Sequence, residues 1–182
     1  KTHKWASFAK FARTGAEANS IAIRIARSYS NKKNIAICGY HGWHDWYLST
    51  NLSSKDALKD HLLPGLSSSG IPSGLKNTVY PFKFNCINSF KKIIKSKKIG
   101  IVIMEVARSQ KPKKKFLQEI RKICTKNKIP LIFDECTTGF RENYGGMHKI
   151  YKINPDIAVF GKAIGNGYAI TAVISRKEYK ES

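Results

Sequence analysis

The sequence predicts an α/β fold with a mostly parallel sheet and helices on both of its faces. Short, continuous apolar runs alternate with amphipathic stretches of helical period. Runs of that kind belong to strands buried on both sides, which is the condition of a parallel sheet under helices. Three reactive residues, Glu105, Asp134 and Lys162, stand at the ends of three such runs. In open α/β sheets, ligands collect where the strands end at their carboxyl side.

The elements follow in order. Gly15–Arg27 reads as a helix, with Ala18, Ile21, Ala22, Ile25 and Ala26 on one face. Ile35–Cys38 is a short strand that ends at Gly39. Leu66–Gly74, rich in Ser, Gly and Pro, is a loop. Ile87–Lys95 is a second helix. Ile99–Met104 is a strand ending in Glu105, and Phe116–Asn127 is an amphipathic helix. Ile129–Phe133 is a strand ending in Asp134-Glu135, and Ile157–Phe160 one ending in Gly161-Lys162. Ile170–Ile174 is a further strand, at an edge or turning back. There is no internal repeat.

The 182 residues suffice for one domain with a substantial core. No apolar run is long enough to cross a bilayer. Lys1-Thr2-His3-Lys4-Trp5 does not read as a secretory signal, and without an initiator Met, Lys1 is not expected to be the natural start. Cys38, Cys86, Cys124 and Cys136 form no paired motif and are expected to be buried free thiols in a reducing cytoplasm. The net charge of +21 raises the question of nucleic acid. The excess is mostly Lys at exposed helical positions such as Lys91-Lys92, Lys95, Lys97-Lys98 and Lys113-Lys114-Lys115, with no RNP motif or paired-cysteine finger. It reads as solvated lysine faces, and neither a nucleic-acid nor a membrane partner is expected.

The chemistry concentrates in four places. Lys162 lies in the glycine-rich turn Phe160-Gly161-Lys162-Ala163-Ile164-Gly165-Asn166-Gly167. Asp134 closes an upstream buried strand, where a carboxylate is costly unless paired. Arg13-Thr14-Gly15-Ala16-Glu17-Ala18 opens a helix whose free N–H groups and dipole suit an anion. Gly39-Tyr40-His41-Gly42 sets an aromatic ring between glycines, fit to stack on a flat ligand. Each has a plainer reading: a loop lysine, a salt-bridge carboxylate, a helix cap at Thr14, an aromatic packing cluster. His41 and His44 could also pair on a metal, but no third or fourth ligand is evident. Together the four match what pyridoxal 5'-phosphate (PLP) requires: an amine for a Schiff base, a carboxylate for the ring nitrogen and a cradle for the phosphate. The amine must be neutral to attack, and partial burial of Lys162 is expected to favour that form.

With these motifs in place, the sequence resembles the class III aminotransferases of PLP fold type I. The resemblance rests on Thr14-Gly15-Ala16-Glu17-Ala18, Tyr40-His41-Gly42, Phe133-Asp134-Glu135-Cys136-Thr137-Thr138-Gly139-Phe140-Arg141, Asn154-Pro155-Asp156 and Gly161-Lys162-Ala163. The nearest likeness is to the glutamate-1-semialdehyde aminomutase group. Gly39–Tyr47 and Gly161–Tyr168 look more like a side branch that includes aminotransferases acting on sugars or other carbonyl substrates.

The resemblance implies an aspartate aminotransferase-like large domain, with PLP bound through Lys162. Asp134 would pair with the pyridine nitrogen, Gly15 and Ala16 would hold the phosphate, and Tyr40 would stack on the ring. Cys136 would lie against the other ring face, with Thr137 near the phenolic oxygen. Glu105 matches the acid of the family's Glu-Pro pair, but Val106 replaces the proline. The implied activity moves an amino group between an amino donor and a carbonyl substrate, or between carbons of one molecule.

The resemblance further implies that residues 1–182 are a partial PLP-binding large domain. An N-terminal segment and a C-terminal small domain are expected outside it. The full-length protein would be a homodimer, and this stretch alone is expected to be weakly active or inactive. Two other readings stay open. One is a decarboxylase or racemase on the same fold. The other is a non-catalytic, basic nucleic-acid-binding domain, which has no need of Lys162 in its glycine-flanked turn.

Overall fold

The computed structural model describes residues 1–54, 57–59, 61, 67–113 and 115–180. Among these residues, seven strands form one sheet: β1 (Phe8–Ala12), β2 (Ile35–Cys38), β3 (Val79–Pro81), β4 (Ile101–Glu105), β5 (Leu131–Asp134), β6 (Ile157–Phe160) and β7 (Thr171–Ser175). Their order is β1-β7-β6-β5-β4-β2-β3. Strands β3, β2, β4, β5 and β6 run parallel, while β7 is antiparallel to both β6 and β1. Every residue of β2, β4, β5 and β6 is buried, as the unbroken apolar runs require.

Helix α1 (Gly15–Ser30) covers one face, placing Ala18, Ala22 and Ile25 against Ile132, Val159 and Val173. A short α2 (Asp45–Leu48) adds buried Trp46 and Tyr47 to that layer. Helices α3 (Ile87–Ser96) and α4 (Phe116–Lys126) cover the other face, with Phe90, Leu117, Ile120 and Cys124 packed on Met104 and Phe133. The small residues of α1 let its backbone lie close to the strands, which matters below because its first turn enters the site.

The structure adds two strands to those expected and adjusts the reading of β7. Strand β7 does turn back, but it is not an edge, because β1 pairs along its whole length. Strand β1 carries no buried pattern, and Phe11 is largely exposed, so its sequence gives no sign of a strand. Strand β3 has three residues and ends in Pro81, tolerated because an outer strand leaves one side of its backbone unpaired. The Ser/Gly/Pro-rich loop starts outside the described residues at Leu66, and Ser73–Leu75 within it close into a 3-10 turn. Lys114 also lies outside them. Among the cysteines, Cys38, Cys124 and Cys136 are buried and free, whereas Cys86 is only half-buried.

Asp134 and Glu135 are consecutive and point apart. Glu135 is fully buried and accepts hydrogen bonds from Met147 N (3.0 Å), His148 N (2.7 Å) and the Thr138 hydroxyl, and pairs with His148 Nδ1 at 2.7 Å. The ring of His148 stacks on His3, whose centroid is 5.4 Å away. This carboxylate therefore ties the loop after β5 to the turn Met147–Lys149 and, through His3, to the start of the chain. Burial alone would raise its pKa, but the His148 and Thr138 contacts and the two N–H donors outweigh that and hold it below the usual carboxylate value.

A depressed folded pKa contributes stability that is complete above the unfolded carboxylate value and lost as pH falls through the folded one. Glu135→Gln is therefore expected to destabilise the protein by about 2–4 kcal/mol at neutral pH. Urea unfolding of the two proteins should show the gap closing as the pH is lowered below about 4.

Candidate active site

Helix α1 begins with a capping box. Thr14 Oγ1 accepts the Glu17 N–H at 3.2 Å, and Glu17 Oε2 accepts the N–H groups of Thr14 (2.8 Å) and Arg13 (3.0 Å). The plain reading of Thr14 as a cap is thus correct, and it leaves the next two donors free. Gly15 N and Ala16 N have no partner among the described residues. They are unpaired N–H groups at the positive end of a 16-residue helix.

The loop after β2 packs on this turn. Gly42 has φ +97, and a Cβ there would come within 2.5 Å of Ala16 Cβ, so only glycine lets the loop settle so closely. His44 Nδ1 lies 2.6 Å from Ser20 Oγ, which also receives Trp46 Nε1 at 3.0 Å. His41 reaches inward instead. Its Nδ1 is 2.8 Å from Asp134 Oδ2, and its backbone carbonyl accepts from Asn19 Nδ2 at 3.3 Å. The two histidines thus serve different partners, and no group of three metal-ligating side chains occurs among the described residues.

Asp134 is 3% exposed. Its Oδ2 takes Asn19 Nδ2 at 2.8 Å as well as His41, and its Oδ1 takes Cys136 N at 3.0 Å. Burial pushes its pKa up, but the His41 bond and charge, the Cys136 N–H and the Asn19 amide together bring it below the usual value. The group is a carboxylate. Asn19, His41 and the Cys136 N–H hold it, and the Cys136 thiol lies against it as well.

Lys162 stands at the end of β6, the strand beside Asp134's own. Its Nζ is 3.3 Å from Thr137 Oγ1. The lysine is exposed rather than partly buried as expected. Its backbone is left-handed, with φ 48, a conformation that costs a non-glycine residue roughly 1–2 kcal/mol and often marks functional positions. Cys136 sits between the two glycine turns. A Cβ on Gly15 or on Gly161 would approach its sulfur to 3.2 and 3.1 Å. Burial, reinforced by Asp134, raises the Cys136 thiol pKa and keeps it protonated.

Tyr40 is half-buried, with the Arg108 guanidinium 5.6 Å from its ring centroid. Its N–H bonds to Glu105 Oε2 at 3.0 Å. Glu105 is paired in register with Asp134 across β4 and β5. Burial raises its pKa above the usual value despite that bond and the nearby cationic side chains.

All the residues singled out from the sequence, Gly15, Ala16, Tyr40, Asp134, Thr137 and Lys162, therefore lie around the carboxyl edge of the parallel strands. The donors that keep Asp134 charged, Asn19 and His41, were not assigned that role. A helix position one turn inside the anion-type start, and a histidine beside the stacking aromatic, were the available signals. The arrangement fits PLP on two counts: Asp134 is held as a carboxylate, the form that pairs with a ring N–H, and Gly15 and Ala16 keep two N–H donors for a phosphate.

The family model for class-III aminotransferases matches residues 5–182. A 3-aminobutyryl-CoA aminotransferase of Cloacimonas acidaminovorans is 37% identical over 181 residues, covering 95% of this chain and 40% of that protein. A glutamate-1-semialdehyde 2,1-aminomutase of Nitrosopumilus maritimus is 42% identical over 173 residues, covering 91% and 39%. Among solved structures, an omega-transaminase from Sphaerobacter thermophilus superposes with a TM-score of 0.82 at 28% identity, covering 96% of this chain and 42% of that one. The chain spans about 40% of the length of the curated relatives it matches.

Removing one donor from Asp134 tests the arrangement. Asn19→Ala is expected to cost about 1–3 kcal/mol in urea unfolding at neutral pH. It should also move the Asp134 carboxyl titration, followed by NMR, towards the ordinary value. Because that pKa is depressed in the folded state, the loss should shrink as pH falls through it.

Proposed function

The chain belongs to the class III aminotransferases, and from that premise we propose that the full-length protein is a PLP-dependent aminotransferase. It moves an amino group between an amino donor and a carbonyl substrate, or within one molecule as the name of its aminomutase relatives describes. The observation that carries this is the placement of a charged, buried carboxylate and an accessible lysine at the ends of neighbouring parallel strands. Residues 1–182 are then a partial PLP-binding large domain, and the complete protein a homodimer. The free thiols support a reducing, cytoplasmic setting. No helix among the described residues is long and apolar enough to cross a membrane.

PLP, when bound, supplies a carbonyl carbon for an amine and a conjugated ring that withdraws electrons. The chain's own residues do the rest. Lys162 would offer the amine that holds the cofactor and, when free, a base at the edge of the site. Asp134, kept ionised by Asn19, His41 and the Cys136 N–H, would keep the ring nitrogen protonated. Gly15 and Ala16 would bind the phosphate through their free N–H groups. Tyr40 and Cys136 would contact the ring. Thr137, which accepts from the Lys162 amine at 3.3 Å, would donate to the phenolic oxygen.

Borohydride reduction of the full-length protein followed by peptide mapping should place the label on Lys162, and label on another lysine would refute the assignment. Asp134→Asn should leave the fold nearly intact and slow proton abstraction from substrate by about 100-fold or more, because an amide does not keep the ring nitrogen protonated. Stopped-flow measurement with isotopically labelled substrate checks it, and a normal rate would remove Asp134 from this role.

A further inference from the structure

The opposite edge of the sheet carries a basin lined mostly by cationic residues. There the turns leading into β2 and β4 lie side by side. Asn34 ties them: its side-chain amide donates to the Lys97 carbonyl at 2.6 Å, and its own carbonyl accepts Gly100 N at 2.9 Å. The stem of Lys32 lies against Gly100, where a side-chain carbon would overlap it. Asn31 and Lys98 are both left-handed, with φ 49 and 47, so each turn is sharply fixed. Between them is a basin of about 580 Å³ lined by Arg27, Asn31, Lys32, Lys33, Asn34 and Lys98. Four of these six residues are cationic and none is acidic.

Arg27 is the informative member. It is half-buried, its Nε is enclosed without a hydrogen-bond partner, and no carboxylate pairs with its guanidinium among the described residues. Burial lowers its pKa with nothing opposing the shift. Elsewhere on this edge the chain does pair its arginines: Arg121 and Arg176 both hold Asp156, at 2.8 and 3.2 Å. The carboxyl end of α1 accounts for one favourable positive charge. It does not account for four around an open basin, where like charges repel and a guanidinium is left partly desolvated.

We propose that this basin binds a small anion carrying two or more phosphoryl groups. A single carboxylate would neutralise one charge of four, whereas two phosphoryl groups bring roughly three to four negative charges. Arg27 supplies the planar fork that matches phosphoryl oxygens, and Lys32, Lys33 and Lys98 supply point charges around it. The site is remote from Lys162 and does not depend on the reading of the carboxyl edge.

The test is calorimetric titration of the full-length protein, saturated with PLP, with pyrophosphate. Saturation fills the anion cradle at Gly15 and Ala16, so a further binding event reports another site. One such site is expected, weakening as salt is raised. Arg27→Gln and Lys98→Gln should each weaken it by about tenfold, and Lys91→Gln, on exposed α3, by less than about twofold. Any of four results would overturn the proposal: no binding at millimolar pyrophosphate, equal losses in all three variants, citrate binding as tightly as pyrophosphate, or binding lost in Lys162→Ala but kept in Arg27→Gln.

Discussion

A carboxylate that is buried and must remain charged is the constraint on which the carboxyl edge depends. Removing Asp134 from water costs several kcal/mol unless donors replace the lost hydration. Its own strand end supplies one, the Cys136 N–H. The other two come from Asn19 in α1 and His41 in the loop after β2, 115 and 93 residues away in the chain. Satisfying one side chain therefore fixes how α1 lies on the sheet and where the loop behind Tyr40 sits. With α1 fixed, its free N–H groups come to the same edge as Lys162. The phosphate end and the ring end of the candidate site are thus set by one helix, four residues apart at Gly15 and Asn19.

The neighbouring acid shows how a strand divides labour. Successive side chains in a strand face opposite ways. Asp134 turns to α1 and the site, and Glu135 turns away to gather the Met147–Lys149 turn, His148 and, by stacking, His3. Both acids are buried and both pKa values are depressed, yet only Asp134 lies on the side of the start of α1. Glu135 is enclosed by four donors and reads as a structural anchor. The difference lies in where each group faces rather than in its burial.

The sheet's polarity separates two kinds of surface. At the carboxyl edge, loops of glycine, aromatic and hydroxyl residues surround Asp134, Glu105, Arg108 and Lys162. At the amino edge, the turns into β2, β4, β5 and β6 present lysines, several in left-handed positions. In the sequence these lysines look scattered, because each belongs to a different helix-to-strand turn. Parallel strands gather the turns along one side, and helices α1, α3 and α4 end there too, so some of the charge complements their dipoles. The basin around Arg27, with no acidic residue among its described lining, is part of that arrangement.

From the sequence alone one could read the central strands, the helices between them, and the placement of Lys162, Asp134 and the Gly15 turn at strand or helix ends. Period and apolar continuity are local properties, and the ligand edge of a parallel sheet follows from strand direction. Strands β1 and β3 were not readable, because outer strands with little buried face carry no such pattern. The exposure of Lys162 was not readable either, since it depends on what packs around the turn. Nor were the roles of Asn19 and His41, or the isolation of Arg27. Those depend on which donors and acceptors meet across distant segments, and that pairing exists only once burial has removed water as the alternative partner.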